Sequence, residues 1–251
     1  MNAWLPKQYG AWAMLVAPVI TGAIIGGFGW GPVAIAIAWI TAYLAYMAVR
    51  GAVTGRRKRQ YVAPSVVFSV LTVLLLTGLL WWRPSLIWWA IPLAVLLGVS
   101  LAMVIAGRER SVINDAALIG ASVLMTAITA TAGRLGQGVD WITFACAAAW
   151  PTAWIASAVL AGYFWGTIPY VKTMIRERGK HGWYIGSVAY HCALIVPAFL
   201  INRWIGCFAV IAAARAAVVP KLWPKAKPRQ IGIAEVMGTV ALIVLLVATL
   251  R

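Results

Sequence analysis

Hydrophobic positions in this chain neither alternate nor recur every third or fourth residue. They run on for about 20 residues at a time, the length a helix needs to cross a bilayer, and then break at short polar or Gly/Pro punctuation. Nine such runs are read: 10–28, 31–50, 62–82, 86–106, 114–132, 142–165, 184–201, 204–219 and 231–250. They are about twice as long as a barrel strand, which excludes a membrane β-barrel. In lipid a helix satisfies its own backbone hydrogen bonds. The predicted fold class is therefore all-α: a polytopic membrane protein of about nine transmembrane helices, forming a single helical transmembrane domain over 1–251. The joints at Gly29-Trp30 and Asn202-Arg203 are tight enough to predict antiparallel hairpins. Gly22 and Gly26 in the first run make a GxxxG pair, a signal for close helix packing.

Composition sharpens this. Of 251 residues, 63% are hydrophobic and 10% charged, against about 25% charged in soluble domains, which excludes a water-soluble globule. There are 21 lysines and arginines against 5 acids. With the N-terminus inside, all but Arg83, Arg134, Arg203 and Arg251 of these cations fall on the cytoplasmic side. That is the positive-inside pattern. It predicts a cytoplasmic N-terminus and an external C-terminus, and it accounts for the basic charge without nucleic acid. Trp30, Trp81, Trp82, Trp141 and Trp204 collect at the outer ends as an aromatic belt. The first run follows a single lysine with no small-x-small cleavage site, so it is read as a retained helix. Cys146, Cys192 and Cys207 lie inside apolar runs and read as small core residues.

The usual enzyme motifs are absent: no Walker A loop, GxSxG or HExxH occurs. His181 and His191 stand alone, and Glu109, Asp115, Asp140, Glu177 and Glu235 form no DxxD pair. No metal site and no cofactor are expected. The chemistry that remains is cationic, in Arg56-Arg57-Lys58-Arg59, in Lys172 to Lys180 with Arg176 and Arg178, and in Lys221 to Arg229. The guanidinium fork suits phosphate, and anionic lipid headgroups are the nearest phosphates. Each of these cations taken singly also serves as a topology determinant.

Two patterns are sharper. Pro6-Lys7-Gln8-Tyr9-Gly10 precedes the first run and Pro228-Arg229-Gln230-Ile231-Gly232 opens the ninth, both reading P-[KR]-Q-x-G. Proline suits a helix start, and the free N–H groups there favour an anion. If the helices close into a ring, the first and ninth are neighbours, and Lys7, Gln8, Arg229 and Gln230 face one anionic group. Secondly, His191, Arg215 and Glu235 lie on three consecutive runs at similar depth, about 6–10 Å from the cytoplasmic ends. Ionisable groups in a bilayer are costly and usually paired. A structural Arg215–Glu235 pair is one reading; a substrate-facing set, with Arg215 on an anion and Glu235 or His191 accepting a proton, is the other. Asn114-Asp115 either joins this set or caps the fifth helix. Tyr43, Tyr46 and Arg50 share one face of the second helix, and Tyr163, Trp165 and Tyr170 cluster in the sixth; both sets fit packing as well as binding.

The opening Pro6-Lys7-Gln8-Tyr9-Gly10-Ala11-Trp12-Ala13-Met14 resembles that of YwiC-like bacterial membrane proteins, PKQHGAWAM, with Tyr9 at the position of the family's His. Similarity continues through Ile175-Arg176-Glu177-Arg178-Gly179, His191 and 215–235. The resemblance implies a multi-pass protein of the bacterial cell (inner) membrane but supplies no reaction. A fold-level analogy runs to intramembrane prenyltransferases similar to UbiA, with nine helices and functional loops after the second and sixth, here 51–60 and 171–183; their Asp-rich metal motifs are replaced by basic residues. Three functions follow as expectations. The first is binding of an anionic, phosphate-bearing amphiphile at the cytoplasmic face by Lys7, Gln8, Arg176, Arg178, His191, Arg215, Arg229, Gln230 and Glu235, extending to a metal-independent transferase. The others are a secondary transporter, for which Pro18, Pro92, Pro151 and Pro197 supply helix breaks, and a structural subunit of a membrane complex.

Overall fold

A computed structural model describes residues 4–5, 9–55, 58–134 and 151–250. These residues form ten α-helices: α1 (Tyr9–Gly26), α2 (Trp30–Thr54), α3 (Arg59–Trp82), α4 (Ile87–Ile105), α5 (Val112–Arg134), α6 (Pro151–Met174), α7 (His181–Ala193), α8 (Ile195–Ile201), α9 (Arg203–Leu222) and α10 (Pro228–Leu250). A 3-10 turn, Pro84–Leu86, leads into α4. Among the described residues seven helical spans, α7 and α8 counting as one, are long and apolar enough to cross a membrane. The chain is an all-helical, multi-pass membrane protein.

Most apolar runs coincide with a helix to within a few residues, and two differ instructively. The sixth run was expected at 142–165, yet α6 continues to Met174. Tyr163, Thr167, Tyr170 and Thr173 are buried on it. These polar residues lie inside the bundle and are shielded from lipid by neighbouring helices, so they lengthen the helix instead of ending it. The seventh run is broken between α7 and α8. Pro197 has no N–H to give to the carbonyl of Ala193, and the helix restarts at Ile195. The cysteine reading is corrected as well. Cys192 and Cys207 are free thiols exposed on the outer surface of the bundle, where an apolar run meets lipid; Cys146 lies outside the described residues.

Both tight joints are hairpins. Gly27 takes a φ of +102° between α1 and α2, a left-handed geometry that suits glycine. Between α8 and α9, Asn202 caps the new helix by accepting from the Trp204 N–H at 2.8 Å.

At the centre α1 packs along α5, with α10 and α6 against its other sides. Lipid tails are as apolar as leucine, so such contacts depend on close packing and on interhelical hydrogen bonds. Both are present. Gly22 meets the backbone of Thr126, and Gly26 meets that of Ala130, closely enough that a Cβ at either site would overlap it. Trp39 donates its indole N–H to the Leu15 carbonyl at 3.0 Å, Ser157 donates to Val123 at 3.1 Å, and Ser122 donates to Met14. Leu160 and Phe164 of α6 and Leu242 and Leu246 of α10 are the large, fully buried members of the same core.

The basic residues mark one end of this bundle. There Arg50 grips Glu109 at 2.7 Å, and a chain of hydrogen bonds runs from Tyr46 to Ser100 (2.8 Å), from Ser100 to Asn114 (2.7 Å) and from Asn114 to the Glu109 carbonyl (2.8 Å). The Tyr46–Arg50 face is thus spent joining α2 to α4 and α5. Ser111 accepts from the Asn114 N–H and caps α5, so Asn114 does not. The opposite end carries tryptophans: Trp30 meets Trp82 at 3.7 Å between centroids, while Arg83 and Arg203 lie over Trp82 and Trp204. Trp141 lies outside the described residues.

The α1–α5 seam predicts that Gly22→Ala and Gly26→Ala each lower the thermal midpoint of the purified protein, at or above the roughly 1–3 kcal/mol typical of overpacking. Gly98→Ala, on open α4 surface, is expected to leave the midpoint unchanged or raise it, as helix propensity dictates. Equal responses at all three positions would remove the seam from the account.

Candidate functional site

Glu235 stands two turns into α10 and is buried. Arg215 reaches it from α9, Nη1 donating to Oε1 at 2.7 Å. From α6, Tyr163 donates its hydroxyl to the other carboxylate oxygen at 3.4 Å. The Arg215 guanidinium lies 4.3 Å from the Tyr170 ring centroid and 5.9 Å from that of Tyr163. A cation over an aromatic face is attracted by the ring quadrupole, the more so when desolvated. The charge of Arg215 is therefore met on two sides, by a carboxylate and by two rings. Its Nε and Nη2 are buried without a protein partner. Pairing leaves the cluster formally neutral, which is how a bundle accommodates charge below the membrane surface.

Glycines make the room. A Cβ on Gly238, one turn beyond Glu235, would overlap the Tyr163 hydroxyl. Gly166, on the face of α6 towards α7, leaves space for the His191 ring, whose Nε2 would lie 2.9 Å from an added Cβ. Gly238 lies at i+3 from Glu235, so the sequence carried this signal, although helix spacing alone does not say which residue fills the gap.

A cavity of about 370 Å³ opens between α1, α5, α6 and α10. Its walls include Ala13, Met14, Phe164 and Ile168, and its polar members include Lys172, Arg176 and Glu235. Lys172 pairs with Asp115 at 3.4 Å, so Asp115 faces α6 and does not cap α5. Both acids on the cavity wall thus have a cation partner. Arg176 is exposed and has no hydrogen-bond or ion-pair partner among the described residues, so it carries the uncompensated charge.

The other residues of the sequence-derived set are dispersed around this cavity. Arg178 donates Nε to the Met174 carbonyl at 3.0 Å and Nη2 to that of Ala226 at 2.9 Å, tying the end of α6 to the loop before α10. Gln230 accepts from the Lys227 N–H at 2.9 Å and so caps its own helix. Arg229 beside it is exposed. His191 is buried on α7 and lines a different, more apolar cavity. The helices α1 and α10 that carry the P-[KR]-Q-x-G repeats do pack together; Lys7 and Gln8 lie outside the described residues, as do Arg56 and Arg57. Sequence spacing brought Arg215 and Glu235 together, but did not foresee that Tyr163 and Tyr170 would supply the rest of the cage or that Lys172 would join Asp115.

Fold and site define a multi-pass helical membrane protein with a buried, aromatic-caged ion pair near its basic end. The YwiC-like protein family matches residues 5–130, half of the chain, and the chain belongs to that family. It is 26% identical over 205 residues to Uncharacterized protein YwiC of Bacillus subtilis, covering 77% of this chain and 76% of that one. It is 27% identical over 257 aligned positions to an Uncharacterized protein of Haemophilus influenzae, covering both chains in full. No solved structure matches.

The cage predicts that Gly238→Ala displaces Tyr163 from Glu235 and costs about 1–3 kcal/mol, read as a lower thermal midpoint. Tyr163→Phe, which removes one long hydrogen bond and keeps the ring, is expected to cost about 1 kcal/mol. A Tyr163→Phe penalty as large as that of Gly238→Ala would mean that the hydroxyl, and not the ring's position, carries the contact.

Proposed function

We propose that this protein spans the bacterial inner membrane nine times, N-terminus inside and C-terminus outside, and binds an anionic, phosphate-bearing amphiphile at its cytoplasmic face. The observation that carries this reading is Arg176. It is a partner-free guanidinium on the rim of a cavity whose two carboxylates are already paired and whose remaining walls are largely apolar. Such a cavity suits a molecule with one negative end and one hydrocarbon end. The guanidinium fork takes phosphate oxygens in a bidentate manner, while Lys172 is already committed to Asp115 at 3.4 Å and leaves the anion to Arg176. The basic end of the bundle faces the cytoplasm under the positive-inside rule, where anionic lipid is also concentrated. Arg229, Gln230, Lys7 and Gln8 extend the basic surface along α10 and the segment before α1. In the transferase form of this reading, Arg176 lies in the connection 175–180 between α6 and α7, the place that corresponds to the functional loop after the sixth helix of UbiA-like enzymes.

A second reading, a secondary transporter, draws on the break between α7 and α8. Broken helices often mark transport sites. Proton-driven uptake into proteoliposomes, lost in Glu235→Gln, would favour it over binding alone.

The binding reading is tested by lipid retention in native mass spectrometry, after purification from mixed phosphatidylglycerol and phosphatidylcholine nanodiscs. Phosphatidylglycerol is expected to be held preferentially. Arg176→Ala weakens its retention about tenfold, the value of one charge-assisted contact, and exposed Arg229→Ala about twofold. Equal retention of both lipids, or an Arg176→Ala protein indistinguishable from wild type, contradicts the proposal.

A further inference from the structure

The cavity between α1, α5, α6 and α10 has a charge balance that limits what it can hold. Among the described residues its charged wall members are Asp115, Lys172, Arg176 and Glu235. Glu235 is answered by Arg215 at 2.7 Å and Asp115 by Lys172 at 3.4 Å. The wall threonines add no free donor. Thr167 gives its hydroxyl to the Phe164 carbonyl at 2.7 Å, and Thr239 gives its own to the Glu235 carbonyl at 2.8 Å. Among the described residues the wall therefore offers a single uncompensated positive charge, that of Arg176.

Asp115 sets that balance. It sits in the first turn of α5, where an acid favours the positive helix end whichever way it points. Here it points across to Lys172, in the last turn of α6. The side chains of Lys172 and Asp115 are only 18% and 25% exposed, so their charges are screened less than those of a fully solvated pair. The Lys172 ammonium also lies 5.1 Å from the centroid of the Trp183 ring, a cation–aromatic contact that keeps it at the wall with or without Asp115. Without Asp115 the wall would hold two uncompensated cations, Lys172 and Arg176. With it, a second negative charge on a ligand meets a carboxylate in place of a cation, and like charges brought together are costly.

We infer that Asp115 selects the charge of the ligand: the cavity takes an amphiphile whose phosphate is a singly charged diester and turns away the corresponding phosphate monoester or diphosphate. The inference rests on the anionic-amphiphile reading above and adds the ester class of the headgroup. A phosphate monoester carries about 1.5–2 negative charges at neutral pH, whereas a diester has one ionisable oxygen and carries a single charge.

Phosphatidylmethanol and phosphatidic acid with identical chains differ by one methyl group and one ionisation, which makes them the probes. Each is mixed with phosphatidylcholine in nanodiscs at about pH 8, where the monoester is doubly charged, and its retention is read by native mass spectrometry. The wild-type protein is expected to hold phosphatidylmethanol at least as well as phosphatidic acid. Asp115→Asn, which keeps the shape and releases Lys172, shifts the ratio towards phosphatidic acid about tenfold, the value of one charge-assisted contact. Adding Lys172→Gln to it removes the shift. Glu109→Gln, which releases Arg50 at the same end of the bundle but away from the cavity, leaves the ratio as in wild type. Wild-type preference for phosphatidic acid overturns the inference while the anionic reading stands. So does an Asp115→Asn ratio equal to that of wild type or of Glu109→Gln, or a shift that survives Lys172→Gln. Retention of neither anionic lipid over phosphatidylcholine overturns both.

Discussion

A charge carried below the membrane surface has to be met by another, and the Arg215–Glu235 pair is where this chain obeys that constraint most strictly. Removing either partner alone leaves an ion that lipid cannot solvate. The surrounding architecture follows from the pair. α9 and α10 approach closely enough for a 2.7 Å contact. α6 supplies two aromatic faces for the cation, and Gly238 withdraws its side chain so that Tyr163 can reach the carboxylate. The same requirement explains why α6 is less apolar than its neighbours. It is enclosed by α1, α5, α7 and α10 and serves as a polar spine inside a lipid-facing shell.

The second constraint is that membrane helices gain little from excluding water from one another. Cohesion comes instead from backbone approach and hydrogen bonds. The α1–α5 seam at Gly22 and Gly26 provides the first, and the Trp39, Ser122 and Ser157 donors provide the second. The basic end adds a third layer of paired charges, Arg50–Glu109 joining α2 to the loop between α4 and α5, and Lys172–Asp115 joining α6 to α5. Four of the five acids in the chain, Glu109, Asp115, Glu177 and Glu235, are therefore engaged with cations, two of them between helices and two in the loops at that end. The surplus positive charge is left exposed, Arg176 at the cavity rim and Arg229 on α10.

Hydropathy made the helices legible, because a bilayer-spanning helix needs a continuous apolar run and nothing in the chain imitates one. The depth argument likewise brought Arg215 to Glu235, since two ions at one level in a bilayer have few alternatives to each other. Periodicity could not reveal which helices were enclosed. That is why α6 ran nine residues beyond its expected end, from 165 to Met174: its tyrosines and threonines look like interface residues until α1, α5 and α10 are placed around them. The cysteines were misread for the converse reason, since an apolar setting in a membrane chain does not distinguish core from lipid. His191 shared the level of the pair but not its cavity, because α7 turns the ring towards Gly166. The basic loop residues could not be sorted by composition at all. Arg178 and Gln230 engage neighbouring backbone, whereas Arg176 remains without a partner.

The central claim is that Arg215 and Glu235 neutralise one another inside the bundle. A double-mutant cycle tests it most directly, with Arg215→Met, Glu235→Met and the double substitution compared by thermal or denaturant unfolding in the same detergent. Each single change should cost about 3–5 kcal/mol by stranding the other charge, and the double should recover most of that loss. Single penalties that simply add in the double variant would show that the two groups are not a pair, and the cage built around them would lose its reason.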